Sequence, residues 1–200
     1  EEFYDNGQLK DEGHLESGQK NGLWKTYFDN GNIETERTYI NGKENGKAKG
    51  WYETSELAFE ADKKDDLPDG LCRNYHKNGN LKIECFFVSG EEEGEQKTYF
   101  EEGQLSIEGI FKKGQKEGTW KYYYKNGKLL KQVVYQNGEE TLVNKWDEKG
   151  NLEFNDMQSS QLNEEQKIVA ACYTNLKGID FSRVKFGPSG NPNTPQGFFS

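Results

Sequence analysis

The sequence predicts an all-β repeat fold: an elongated single antiparallel sheet of stacked β-hairpins of about 24 residues each, followed by a short C-terminal helix and an extended tail. Three observations predict it. An aromatic, a glycine and an aliphatic residue recur in fixed relation along the chain. Asn-Gly pairs stand between alternating apolar segments, a strong short-range signal for a hairpin turn. Counting outward from those turns sets basic residues opposite acidic ones.

The period is anchored by Gly7, Gly31, Ser55, Gly79, Gly103 and Gly127, with Gly150 one residue early. Four residues before each anchor stands an aromatic: Phe3, Tyr27, Trp51, Tyr75, Tyr99, Tyr123 and Trp146. Two residues after it stands an aliphatic: Leu9, Ile33, Leu57, Leu81, Leu105, Leu129 and Leu152. Asn6-Gly7, Asn30-Gly31, Asn78-Gly79 and Asn126-Gly127 are read as two-residue hairpin loops, in which both residues need φ > 0. The glycine-rich stretch after each hairpin is read as the connection to the next.

A turn at Asn30-Gly31 places Lys25 opposite Glu36. The same count pairs Lys49 with Glu60, Arg73 with Glu84, Lys97 with Glu108 and Lys121 with Gln132. Opposite charges directly across a strand pair contribute roughly 0.2–1 kcal/mol each. Because side chains alternate with period two, the column Tyr27, Trp51, Tyr75, Tyr99 and Tyr123 shares a face with this ladder. The other face carries Trp24, Phe28, Ile33 and Tyr39 in one repeat and Trp120, Tyr124, Leu129 and Tyr135 in another. It is the more continuously apolar and is assigned to the core. In the repeat over 50–73, Ser55 replaces the anchor and Asp62-Lys63-Lys64-Asp65-Asp66 replaces a strand end, so a loosened or bulged hairpin is expected there.

The strings GLWKTYFDNGNIETERTYINGKENG (22–46) and GTWKYYYKNGKLLKQVVYQNG (118–138) resemble the MORN-variant repeat family, and the resemblance covers roughly residues 1–153. It implies a single-sheet stack of hairpins. Many bacterial members are described as antitoxins, others as scaffold or envelope proteins, and the family has no shared catalytic residues to transfer.

The period stops after Leu152. Residues 154–177 read as a linker and a capping amphipathic helix. Asn163 caps it, Glu164 and Glu165 suit its positive end, Ile168, Cys172 and Leu176 share one face, and Gly178 ends it. Such a helix either covers the last apolar edge of the stack or docks a partner. Residues 178–200, with Phe181, Phe186, Pro188, Pro192, Pro195, Phe198 and Phe199, read as an extended tail that docks on the sheet or on a partner.

Composition narrows the function. Only 32% of the 200 residues are hydrophobic, but 14% are aromatic, and rings that each bury a large area argue against disorder. A net charge of −9 disfavours nucleic acid and anionic membrane surfaces, which call for a basic protein. No apolar run approaches the roughly 20 residues that span a bilayer, so no direct membrane insertion is expected. The chain starts without Met inside a repeat, which reads as a processed or trimmed form and favours an exported or cell-envelope protein over a cytoplasmic one.

Chemistry-bearing residues are sparse. Cys72, Cys85 and Cys172 include no CxxC, and with His14 and His76 they form no zinc spacing, so neither metal nor cofactor is expected. Cys72 and Cys85 fall opposite one another, which permits a cross-strand disulfide; the alternative is two buried thiols acting as small apolar residues. His76 occupies a column held elsewhere by Phe28, Tyr52, Phe100 and Tyr124 and reads as a substituted core ring. The Asp62–Asp69 cluster lacks calcium-loop spacing and reads as a solvated turn. The glutamates repeat and are matched to cations, which fits structure better than a unique catalytic pair. The expected function is therefore a non-catalytic protein-binding scaffold, a subunit or accessory of a larger assembly, with Tyr27, Trp51, Tyr75, Tyr99, Tyr123, Phe198 and Phe199 at the interface. The same rings could instead only cover the sheet. Alternative functions are an antitoxin or immunity protein that neutralises a basic toxin, a subunit of an envelope complex, and a cell-surface carbohydrate-binding module.

Overall fold

The computed structural model describes residues 1–157, so the expected helix and tail, with Phe198 and Phe199, lie outside the described residues, whereas residues 154–157, read as the start of a linker, instead extend the last strand of the sheet. Fifteen strands form one open antiparallel sheet. They are β1 (Glu2–Phe3), β2 (Leu9–Glu16), β3 (Gln19–Tyr27), β4 (Ile33–Ile40), β5 (Lys43–Trp51), β6 (Leu57–Lys64), β7 (Leu67–Tyr75) and β8 (Leu81–Val88). Then come β9 (Glu91–Glu92), β10 (Gly94–Tyr99), β11 (Leu105–Lys112), β12 (Gln115–Tyr123), β13 (Leu129–Gln136), β14 (Glu139–Trp146) and β15 (Leu152–Met157). Strands adjacent in sequence pair with one another, and β9 and β10 are two pieces of one rung laid against β8.

The two ends of each rung close differently. At the Asn-Gly end the loop has three residues: Phe28 N–H donates to the Asn32 carbonyl (2.8 Å) and Gly31 N–H to the Phe28 carbonyl (2.9 Å). Gly31 has φ 87°, while Asn30 keeps an ordinary negative φ. The expectation of a two-residue loop is therefore corrected. The Asn30 side chain accepts the Asn32 amide (2.8 Å) instead of rotating its own backbone, and glycine alone adopts the left-handed conformation. The two-residue loops with both φ positive stand at the opposite end, at Ser17-Gly18, Asn41-Gly42, Asp65-Asp66, Ser89-Gly90, Lys113-Gly114 and Asn137-Gly138. The stretches read as connectors are thus hairpins in their own right, and the sheet is a continuous meander.

The charge register holds throughout: Lys25 faces Glu36, Lys49 faces Glu60, Arg73 faces Glu84, Lys97 faces Glu108 and Lys121 faces Gln132. Nearer the loop it slips by one residue. Thr26 faces Thr35 but Tyr27 faces Ile33, leaving Glu34 as the bulged residue. This slip sets Ile33 opposite Tyr27, and Leu129 opposite Tyr123, on the ladder face rather than on the core face assigned to them from the sequence. The repeat over 50–73 is no looser than the rest: Trp51 faces Leu57 with the same slip, and β6 and β7 reach full length. Its departure from the pattern is carried instead by Ser55 and Asp66, which take φ values of 78° and 72° where the other repeats have glycine.

Among the described residues, the buried apolar side chains are those of Trp24, Ala48, Trp120, Val133 and Tyr135, on the face opposite the ladder. The core is a stripe rather than a layer. Phe111 and Tyr135 meet the Trp120 ring edge-on, with centroids 5.0 and 6.2 Å away, and Ile107, Tyr122 and Val143 pack around them. A second nest repeats part of this four repeats earlier, with Trp24 against Tyr39 at 6.5 Å. Lys20 and Lys116 cap the two indoles, each 4.4 Å from the ring centroid.

Candidate functional site

On the ladder face, strand alternation brings each tyrosine next to the glutamate fifteen residues earlier. The hydroxyls of Tyr27, Tyr75 and Tyr123 donate to Glu12, Glu60 and Glu108 at 2.5, 2.8 and 2.6 Å. These bonds and the adjacent cations hold the Glu60 and Glu108 carboxyls below the usual carboxylate range, against the opposing effect of burial. Tyr27 is pushed up to about 12, first by its bond to Glu12, and Tyr123 to about 12, first by burial and then by Glu108. Ion pairs continue the row: Lys25 to Glu36 (3.3 Å), Arg73 to Glu60 (3.3 Å) and Glu84 (2.7 Å), and Lys121 to Glu108 (3.1 Å). Lys97 lies between Glu84 and Glu108 in the register, but its ammonium turns to Glu95 at 3.0 Å.

The five expected interface rings, Tyr27, Trp51, Tyr75, Tyr99 and Tyr123, are therefore brought into one column, and all are half-buried. Three of them commit their polar handle to the sheet itself. Large apolar side chains open to solvent in the body of this face are others, among them Leu23, Phe86 and Ile110, at 51%, 44% and 48% exposure. Phe86 faces Leu71 and Ile110 faces Glu95 across the sheet. The signal that could have found the last two is the repeat column occupied by His14, Thr38, Asp62, Phe86 and Ile110, polar early in the chain and apolar later.

The opposite face carries the sparse chemistry. Cys72 and Cys85 are Cα partners, as the turn count expects, and both are thiols in this structure. Burial pushes Cys72 up and Cys85 up to about 11. A hollow of about 260 Å³ opens beside them, lined also by Asn74, Ile83, Phe87, Glu92 and Gln96. His76 fills the place of a ring: its Nε2 lies 3.0 Å from the Tyr99 carbonyl, just as the hydroxyls of Tyr4, Tyr52 and Tyr124 reach the carbonyls of Tyr27, Tyr75 and Trp146.

The acidic run over 62–69 is consumed locally. Asp62 pairs with Lys47 (2.7 Å), Asp66 accepts the Glu44 amide (2.8 Å) and Asp69 accepts the Ser89 amide (2.9 Å). Among the described residues no group of three or more His, Cys, Asp or Glu is placed to hold a metal ion, and no helix is long and apolar enough to cross a membrane.

Compared with known families, residues 1–16, 20–41, 68–89, 92–113 and 116–137 match the model described as MORN repeat variant. The matches pass over the stretch that contains Ser55, Asp65 and Asp66. No curated protein matches the chain.

Proposed function

The chain belongs to the MORN repeat variant family, and from that premise we propose that it is a non-catalytic scaffold that binds another protein through the ladder face of its sheet. The observation that carries this reading is the exposure of Leu23, Phe86 and Ile110 on a continuously hydrogen-bonded sheet. Large apolar side chains rimmed by charged pairs are the usual make-up of a protein-binding patch. The rings of Tyr75, Tyr99 and Tyr123 share that face with Phe86 and Ile110 within a rigid frame, so little side-chain entropy is lost when a partner packs against them.

The net charge of −9 favours a basic partner, because complementary potentials accelerate encounter. This supports a narrower reading, an antitoxin or immunity protein that neutralises a basic toxin; an adjacent toxin-like reading frame would be its signature.

The test is affinity capture with the full chain, read by mass spectrometry, in parallel with Phe86→Asp and Ile110→Asp. A specific partner retained by the parent and reduced at least ten-fold by either substitution, with circular dichroism unchanged, is the expected result. No retained protein, or retention indifferent to both substitutions, overturns the ladder face as an interface.

A further inference from the structure

Across the face opposite the ladder, one row of side chains runs from large to small and back to large. Cα pairing links Trp24, Arg37, Ala48, Ala61, Cys72 and Cys85, then Gln96 with Gly109, then Trp120 with Val133. Each indole lies flat over a glycine: a β-carbon at Gly13 or Gly109 would stand 2.2 Å from the Trp24 or Trp120 ring.

Stepping the Trp120 nest back by 24 residues turns Trp120 into Gln96, Gly109 into Cys85 and Lys116 into Glu92, while Phe111 remains an aromatic as Phe87. The cysteine restores some of the volume that the missing indole gave up. A thiol and an amide are still smaller than an indole, and the hollow of about 260 Å³ is what remains.

The charge at its rim is inverted too. At the equivalent position Glu44 is ion-paired with Arg37 and Lys63, and Glu140 accepts the Tyr135 hydroxyl. Glu92 has Lys116 as its charged neighbour, and that ammonium is already seated over the Trp120 and Tyr135 rings. Burial raises the Glu92 carboxyl, the mark of a charge taken from water without full compensation.

We propose that this hollow is a socket for an arginine side chain of a protein ligand, with the guanidinium beside Phe87 and paired with the Glu92 carboxylate. Arginine fits for three reasons. Its flat head takes the place of a flat ring, it stacks on an aromatic neighbour, and its forked donors match a carboxylate and the Gln96 amide oxygen. The socket lies on the face opposite the ladder, so it is a second site, independent of the first, and a chain with both would hold two protein segments at once.

The test titrates the full ¹⁵N-labelled chain with N-acetyl-arginine amide and follows amide shifts by NMR, with N-acetyl-citrulline amide as the uncharged isostere. Saturable shifts confined to Cys72, Ile83, Cys85, Phe87, Glu92 and Gln96 are expected. They should weaken at least ten-fold with the citrulline probe and with Glu92→Gln, and vanish when Cys85→Gly and Gln96→Trp together rebuild the indole-over-glycine pair. Phe86→Asp should leave them unchanged. Absence of saturable shifts, equal binding of the citrulline probe, or binding that survives Glu92→Gln overturns the socket, and none of these bears on the ladder face.

Discussion

Gly109 lies beneath the indole of Trp120 so closely that a β-carbon placed on it would stand 2.2 Å from the ring. The backbone of Gly109 does not require a left-handed φ, so the constraint is steric alone. Gly109→Ala is expected to cost about 1–3 kcal/mol by forcing the ring off its seat. Combined with Trp120→Gln, the same alanine should cost much less, because the obstacle is gone. Urea midpoints of the four chains in a double-mutant cycle check this, and a strictly additive cycle would show that ring and glycine are not coupled.

The tyrosine–glutamate bonds make stability depend on pH at both extremes. Glu60 and Glu108 titrate below their unfolded values, so their contribution is present above the ordinary carboxylate range and is lost as pH falls through the lowered folded values. A Tyr75→Phe/Tyr123→Phe chain should be less stable than the parent at pH 7, with the gap closing under acid; chemical denaturation at the two pH values measures it.

At the alkaline end Tyr27 and Tyr123 stay neutral up to about 12. Their contribution is present below the unfolded value near 10 and is lost as pH rises through the folded one. Ultraviolet absorbance of the phenolate should therefore show a late-ionising fraction, and Tyr27→Phe should diminish it.

His76→Tyr should preserve or raise stability, since the equivalent Tyr52 and Tyr124 already donate to the corresponding carbonyls at 2.7 and 2.9 Å. His76→Ala removes both the ring and the contact to the Tyr99 carbonyl and should cost roughly 1–3 kcal/mol. Thermal unfolding of the two variants should move in opposite directions, or by clearly different amounts.

Ser55 holds φ 78° where the other anchors are glycine. A left-handed serine costs roughly 1–2 kcal/mol, and the greater freedom of glycine in the unfolded chain offsets about 0.4–1 kcal/mol of the relief. Ser55→Gly should therefore stabilise, by up to about 1.6 kcal/mol, seen as a higher melting temperature with an unchanged denaturant slope.

The sheet and its charge register are legible in the sequence because they rest on residue spacing. Lys97 faces Glu108 whatever the loop geometry, provided the turn is centred between Glu102 and Gly103. The loop itself is not legible: whether Asn30 rotates its own backbone or caps the Asn32 amide depends on the next hairpin, whose Glu53 carbonyl accepts the Asn30 and Asn32 side chains at 3.3 and 2.8 Å. The slip beside each loop follows from the same choice and moves Ile33 and Leu129 to the ladder face. The aromatic column stands out in the sequence because it is invariant in kind, whereas Phe86 and Ile110 escape notice because their column changes from polar to apolar along the chain. Partnership of Cys72 with Cys85 needs only the count, but the hollow beside them needs the Trp120 nest for comparison.

The contacts from Tyr52 to the Tyr75 carbonyl and from Asn30 to the Glu53 carbonyl each reach 23 residues ahead, and the one from Ser89 to Asp69 reaches 20 back. All of them link a unit only to the next one. Excision or duplication of one whole period by recombination would leave every such bond with a chemically similar partner. Genes of this design can change the length of their product in discrete increments without passing through an unfoldable intermediate, and each increment adds or subtracts one ledge of surface on either side.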